Sequence, residues 1–212
     1  MSRYLVSLVI CLFINLSLPH ASAGENSQLQ QQSILIMGDS ISAGFGIDKA
    51  DGWVALLANK LDSLSTHYDI INASISGETT SGGANRIKKL LAQHHPNIVV
   101  IELGGNDGLR GLPISLMKQN FDHMIVQSKR AGANVLLLAM QIPPNYGLGY
   151  SKLFARQYQQ LADKHEITLV PFFLEDIVTQ DGMMQNDGIH PTAKAQPLMM
   201  EAVWNVLQHS VQ

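Results

Sequence analysis

A single cysteine, Cys11, is all the thiol chemistry in this chain of 212 residues. A disulfide needs two and a zinc site built on cysteine needs more, so both are excluded. Basic charge is also short: Lys and Arg number 14 against 17 Asp and Glu, for a net charge of −3. Without a basic surplus to neutralise phosphates, a nucleic-acid binder held by electrostatics is excluded as a class. Only 15% of residues are charged and 46% are hydrophobic, a balance that rules out disordered and coiled-coil chains. No H-E-x-x-H or comparable ligand spacing is present, which argues against a metal held by Asp39, Asp107, Asp187 and His190, and neither a metal nor a cofactor is expected.

Long apolar runs are missing as well. A bilayer-crossing helix needs roughly 20 apolar residues, and the stretch from Tyr4 to Leu18 is shorter, with Pro19 and His20 directly behind it. Arg3 before that stretch and the small residues Ala21-Ser22-Ala23 after it have the form of a secretory signal peptide. Cleavage after Ala23 is expected, giving a periplasmic or secreted protein with no stable membrane anchor. Ile10 precedes Cys11 where a lipoprotein signal requires a small residue, so Cys11 reads as a small hydrophobe. The chain thus divides into a signal peptide, 1–23, and one domain, 24–212, large enough to build its own apolar core.

What is present is a regular alternation. Ser33 to Met37 reads as a strand buried on both faces, Asp51 to Leu61 as a helix, Tyr68 to Ala73 as a strand and Thr79 to Gln93 as a helix. The pattern continues with a strand over Asn97 to Leu103, a helix from Pro113 to Arg130 and a strand over Val135 to Met140. A helix from Tyr150 to His165, a short strand over Ile167 to Val170, a possible short helix and a closing helix from Thr192 to Gln208 complete it. Parallel strands need crossovers that pack on the sheet, so this order predicts a doubly wound α/β fold: a flavodoxin-like three-layer sandwich around a five-stranded parallel sheet.

Such sheets place their ligands at the carboxyl ends of the strands. The polar clusters fall there: Asp39-Ser40, Ser76-Gly77-Glu78-Thr79, Gly104-Gly105-Asn106-Asp107 and, on the last long loop, Asp187-Gly188-Ile189-His190-Pro191. A serine hydroxyl needs a base, and the base needs a group to hold its tautomer. Ser40, His190 and Asp187 can fill these roles, since a tight turn eased by Gly188 would bring Asp187 onto one imidazole nitrogen. The backbone N–H of Ser40, the N–H of Gly77 with no side chain to block approach, and the amide of Asn106 are candidate donors to an oxyanion. Taken singly, each piece reads otherwise: Gly-Asp-Ser as a turn and cap, Gly-Gly-Asn-Asp as a loop, a lone histidine as a surface residue. Convergence at different strand ends, with every catalytic role filled, favours the catalytic reading. His67, His94, His95, His123, His165 and His209 have no partner pattern and read as structural.

The segments Gly38-Asp39-Ser40-Ile41-Ser42, Gly77, Gly104-Gly105-Asn106-Asp107 and Asp187-Gly188-Ile189-His190-Pro191 resemble, in order and spacing, the four blocks of the SGNH (GDSL) hydrolases. Asn72 to Thr79, Glu102 to Gly111 and Pro144-Asn145-Tyr146-Gly147 are similar to its secreted thioesterase I group, also described as lysophospholipases and arylesterases. The resemblance implies a nucleophile at Ser40, an Asp187–His190 pair as acid/base machinery and an oxyanion hole from Ser40, Gly77 and Asn106. Ile41 stands where Leu is usual and Glu78 where Asp is frequent, neither at a catalytic position. The pentapeptide around Ser40 lacks the final Gly of the G-x-S-x-G elbow, which argues against a standard α/β-hydrolase.

The expected reaction is two-step acyl transfer from a small ester or thioester by a monomeric enzyme. Its acyl groove is expected among Leu109, Ile142, Pro144 and Tyr146, with Leu112, Pro143, Leu148, Met183 and Met184 as further candidates. Two rivals stand beside it. A carbohydrate O-acetyl esterase would share the three catalytic residues but need an aromatic, polar cleft, for which Trp53 and Trp204 are the available tryptophans. A non-catalytic periplasmic binding module would share the topology alone.

Overall fold

In the computed structural model, residues 32–64 and 68–211 are described. The expected signal peptide, Cys11 and His67 lie outside them.

The first strand, β1 (Gln32–Gly38), lies inside the sheet: Ile34, Leu35, Ile36 and Met37 are fully buried, as a continuous apolar run with no solvent face requires. It pairs in parallel with β2 (Tyr68–Asn72) on one side and β3 (Ile98–Glu102) on the other. Beyond β3 lie β4 (Asn134–Leu138) and β5 (Thr168–Val170), also parallel, so the strand order is 2-1-3-4-5. This is the strand order of a flavodoxin-like sheet, in keeping with the fold class expected from sequence.

The crossovers step one way from β1 to β2 and the other way afterwards, which sends the helices to opposite faces if every connection is right-handed. On one face α1 (Trp53–Asp62) packs on α6 (Gln196–Leu207); on the other α4 (Ile114–Arg130) packs between α2 (Thr80–His94) and α5 (Leu148–His165). The α1 start is tied to α6 directly, the Trp53 N–H donating to Gln196 Oε1 over 2.9 Å. The closing helix starts later than its periodicity suggests: residues 193–195 form a tighter 3-10 turn and Pro197 sits in the first turn of α6, where its missing N–H costs nothing. The possible short helix after β5 is not formed. Residues 173–179 are turns, with Val178 N–H reaching Leu174 O in one i→i+4 bond that is not continued.

One element was not expected. Between β3 and α4 the chain forms α3 (Gly105–Leu109), entered through Gly104 at φ 103°. It is too short to leave a periodic trace in sequence, yet it carries Asn106 and Asp107.

The switch in winding direction falls between β1 and β3, whose carboxyl ends are in register: Gly38 lies opposite Glu102. The loops leaving these two ends supply most of the site.

Candidate active site

Ser40 follows β1 by two residues and is nearly buried, at 8% exposure. Its turn is closed by Ala43 N–H to Asp39 O and Phe45 N–H to Ser40 O, both 3.0 Å. His190 comes from the long loop after β5, and its Nε2 lies 2.8 Å from Ser40 Oγ across 150 positions of sequence. The other ring nitrogen, Nδ1, is 2.7 Å from Asp187 Oδ2.

Asp187 is held by its own turn. Its Oδ1 accepts the backbone N–H groups of Ile189 and His190, at 2.9 and 3.0 Å, and Gly188 takes the left-handed backbone (φ 67°) that this closure needs. The His190 N–H, then the His190 ring and the Ile189 N–H, hold the Asp187 carboxyl down at about 2. An ionised Asp187 places the imidazole proton on Nδ1 and leaves Nε2 free to accept from the Ser40 hydroxyl.

Asn106 stands on α3 beside this pair. Its Nδ2 donates to Asp39 Oδ2 over 3.1 Å, which spends one amide proton on Asp39 and leaves the second. Gly77 lies in the loop after β2 with φ 79°, and an added Cβ there would meet nothing nearer than Arg110 Nη2 at 3.9 Å. The left-handed backbone angle by itself calls for glycine here. The Arg110 guanidinium donates to Gly77 O over 3.2 Å, joining the loop to the end of α3. Gly77 is not among the residues lining the cavity at Ser40, whereas Ser40, Asn106 and His190 are.

Beneath the site lie three buried carboxyls: Asp39 and Asp107, considered from sequence only as metal ligands and set aside, and Glu102, which carried no expectation. Asp39 is 2% exposed; its Oδ1 accepts Ile41 N–H at 3.0 Å, and burial pushes it up to about 6 against the lowering effect of its hydrogen bonds. Glu102, fully buried, accepts from Ser42 Oγ at 2.6 Å and Asp39 N–H at 3.3 Å, so one carboxyl grips both flanks of Ser40. Burial, reinforced by the Asp39 charge, raises it well above the ordinary range. Asp107, next to Asn106, accepts Thr80 N–H and Oγ1 at 2.8 and 2.6 Å and so ties α3 to the start of α2. Glu102 is legible in retrospect, as a carboxylate closing an apolar run that has no exposed face. Among the described residues no group of three or more His, Cys, Asp or Glu is placed to hold a metal ion.

A cavity of about 490 Å³ opens at Ser40. Leu109, Ile142, Pro143, Pro144 and Met184 line it, as the sequence suggested. Tyr146 does not: it sits in the 3-10 turn 144–146, 43% exposed and outside the lining. Leu148, at 65% exposure, and the core residue Met183 are also displaced from the expected groove, as is Leu112. Phe172, Leu174 and Val178 take their place, brought in by the turns after β5. Of the other histidines, His165 does have a partner, Asp122 at 2.5 Å, where it ties α5 to α4 far from this cavity in the fold.

Comparison with known proteins gives a consistent result. The model of the GDSL-like Lipase/Acylhydrolase family matches residues 36–197. The chain is 49% identical to "Esterase TesA" of Pseudomonas aeruginosa over 181 residues, 85% of this chain and 90% of that protein. It is 40% identical to "Thioesterase 1/protease 1/lysophospholipase L1" of Escherichia coli K12 over 176 residues, 83% of each chain. The crystal structure of the psychrotrophic esterase EstA from Pseudoalteromonas sp., inhibited by monoethylphosphonate, superposes with a TM-score of 0.81 at 42% identity, covering 85% of this chain and 98% of that one.

Proposed function

The chain belongs to the GDSL-like lipase/acylhydrolase family and is a serine esterase/thioesterase, and on that premise we propose that it works through an acyl-enzyme on Ser40. The observation that carries this assignment is the unbroken relay from Ser40 Oγ to His190 Nε2, at 2.8 Å, and from His190 Nδ1 to Asp187 Oδ2, at 2.7 Å.

Neutral His190 removes the Ser40 proton through Nε2 as Oγ bonds to the acyl carbon. The carbonyl π pair moves onto oxygen, where the free N–H of Asn106 and the backbone N–H groups of Ser40 and Gly77 are proposed to receive it. The imidazolium, held by Asp187, returns its proton to the departing alkoxide or thiolate as that bond breaks. Water then gives a proton to Nε2, attacks the acyl carbon and releases the carboxylic acid, and Ser40 recovers its hydrogen.

The lining of the cavity supports an acyl chain as its occupant, since Leu109, Ile142, Phe172 and Leu174 offer apolar contact and few polar groups. Trp53 is fully buried and Trp204 packs under Lys60 on α6, so neither tryptophan lines the cavity, which disfavours a sugar ester. The Ser40–His190–Asp187 relay closes within one chain, and the proposed chemistry needs no second copy. The leader over residues 1–23 supports export of the enzyme, with Ala23 as the last residue removed. No helix among the described residues is long and apolar enough to cross a membrane.

Covalent capture tests the assignment. A fluorophosphonate probe should label the wild-type chain on Ser40 and leave Ser40→Ala unmodified while its thermal unfolding is unchanged. Equal labelling of both would remove Ser40 as nucleophile. Hydrolysis of p-nitrophenyl esters of increasing acyl length then separates a lipid esterase, which gains with length, from an acetyl esterase, which does not.

A further inference from the structure

Phe45 is half exposed, and its ring rests on the His190 imidazole with centroids 4.5 Å apart and planes tilted by 37°. Phe45 belongs to the turn that follows Ser40, so this contact joins the two halves of the site by a second route beside the Ser40–His190 hydrogen bond.

A third route runs through Gln185. Its Nε2 donates to Phe45 O at 2.8 Å and to Pro191 O at 3.0 Å, using both amide protons to bridge the Ser40 turn and the residue after His190. Its backbone N–H donates to His190 O at 2.7 Å, and its carbonyl accepts Gly188 N–H at 2.9 Å. One residue thus closes the loop that bears Asp187 and His190 and fastens that loop across the fold. The seat for its carboxamide exists because position 46 has no side chain: a Cβ on Gly46 would stand 2.4 Å from Gln185 Oε1.

We propose that Gln185 and Phe45 are positioning residues for the hydrolysis: the Gln185 carboxamide straps the His190 loop to the Ser40 turn, and the Phe45 ring fixes the plane of the imidazole. The proposal rests on Ser40 and His190 being nucleophile and base. The need is physical. Residues 186–189 are exposed, and Asp187 keeps 38% of its side chain in solvent, so core packing does not hold the loop. A base displaced by about 1 Å loses on the order of a hundredfold in rate, far more than the loss of one exposed hydrogen bond takes from stability.

Gln185→Glu keeps the size of the side chain and removes both donors. Its rate of single-turnover fluorophosphonate labelling, and kcat for a short p-nitrophenyl ester, should fall about tenfold to a hundredfold with KM unchanged. In a His190→Ala background the same substitution should cost nothing more, because the group it positions is gone. Phe45→Ala should behave likewise and Phe45→Tyr should restore the wild-type rate. Wild-type labelling of Gln185→Glu and Phe45→Ala, an equal further loss in the His190→Ala background, or a rise in KM with kcat held would each overturn the proposal. Should Gln185→Glu fail to fold, the Phe45 pair gives the same comparison. Labelling that survives in Ser40→Ala is a different failure, that of the nucleophile assignment itself.

Discussion

Asn106 donates one amide proton to Asp39, the residue immediately before Ser40, over 3.1 Å. The orientation of the proposed oxyanion donor is therefore set by the same buried carboxylate that accepts Ile41 N–H on the far side of Ser40. One side chain thus bonds both the turn that bears Ser40 and Asn106. Asn106→Ala should lower kcat by about 10²–10³ and leave KM nearly unchanged, as the loss of one transition-state donor does. A change confined to KM would assign Asn106 to ground-state binding instead.

Asp39 also gives the fold a pH dependence of definite sign. Its carboxyl titrates at about 6 in the folded chain against 3.8 for an ordinary aspartate. Between those values the folded state keeps a proton that the unfolded state has lost, so stability falls as pH rises through this window and levels off above it. The thermal midpoint of the wild type should drop relative to Asp39→Asn between pH 4 and pH 6. Parallel curves would mean that Asp39 is not perturbed by burial.

Asp187 acts in the opposite sense, since its carboxyl is held down at about 2 and stays ionised through the acid range where esterases are assayed. The acid limb of kcat/KM should therefore not report protonation of Asp187. Asp187→Asn should cut kcat by on the order of 10⁴, the consequence of losing the tautomer that leaves Nε2 free. Retention of more than a tenth of wild-type turnover would separate Asp187 from the relay.

Gly108 on α3 has no room for a side chain: an added Cβ would lie 2.7 Å from both Ile142 Cγ2 and Phe154 Cε2. Gly108→Ala should destabilise the fold by about 1–3 kcal/mol through overpacking. Urea unfolding reads the change, and an unaltered midpoint would show that α3 can move away from α5 freely.

Met184 lines the cavity close in sequence to His190. Met184→Trp should depress kcat/KM for long-chain p-nitrophenyl esters while sparing the acetate. Equal losses at every chain length would place the acyl chain elsewhere.

Much of the fold is readable before any coordinates because parallel strands buried on both faces are written as unbroken apolar runs. Ser33 to Met37 and Asn97 to Leu103 could hardly be anything else, and the helices between strands then dictate a doubly wound sheet. Short elements escaped: α3 is only five residues long, and its start depends on the backbone of Gly104. The cavity at Ser40 is half legible. Ile142 and Pro144 line it, but Tyr146 faces away and Leu174 faces in, since hydrophobicity records a preference for burial and not the direction in which a loop turns. Gln185 and Phe45 carried no signal, because each acts through backbone carbonyls or a ring face that becomes its neighbour only on folding.

The amino-acid sequence by itself determined the order of strands and helices along the chain, the identity of the candidate reactive groups and the pairing of Asp187 with His190. That pairing spans three residues, and the Ile189 and His190 N–H groups donate to the Asp187 carboxylate within the same short Asp-Gly turn. Tertiary structure alone decided that His190 meets Ser40, that Asp39 aims Asn106, and which side chains line the cavity at Ser40. Those relations join segments up to 150 positions apart, and only the packing of the sheet with its helices, which sets where each loop leaves the core, can bring them within bonding distance.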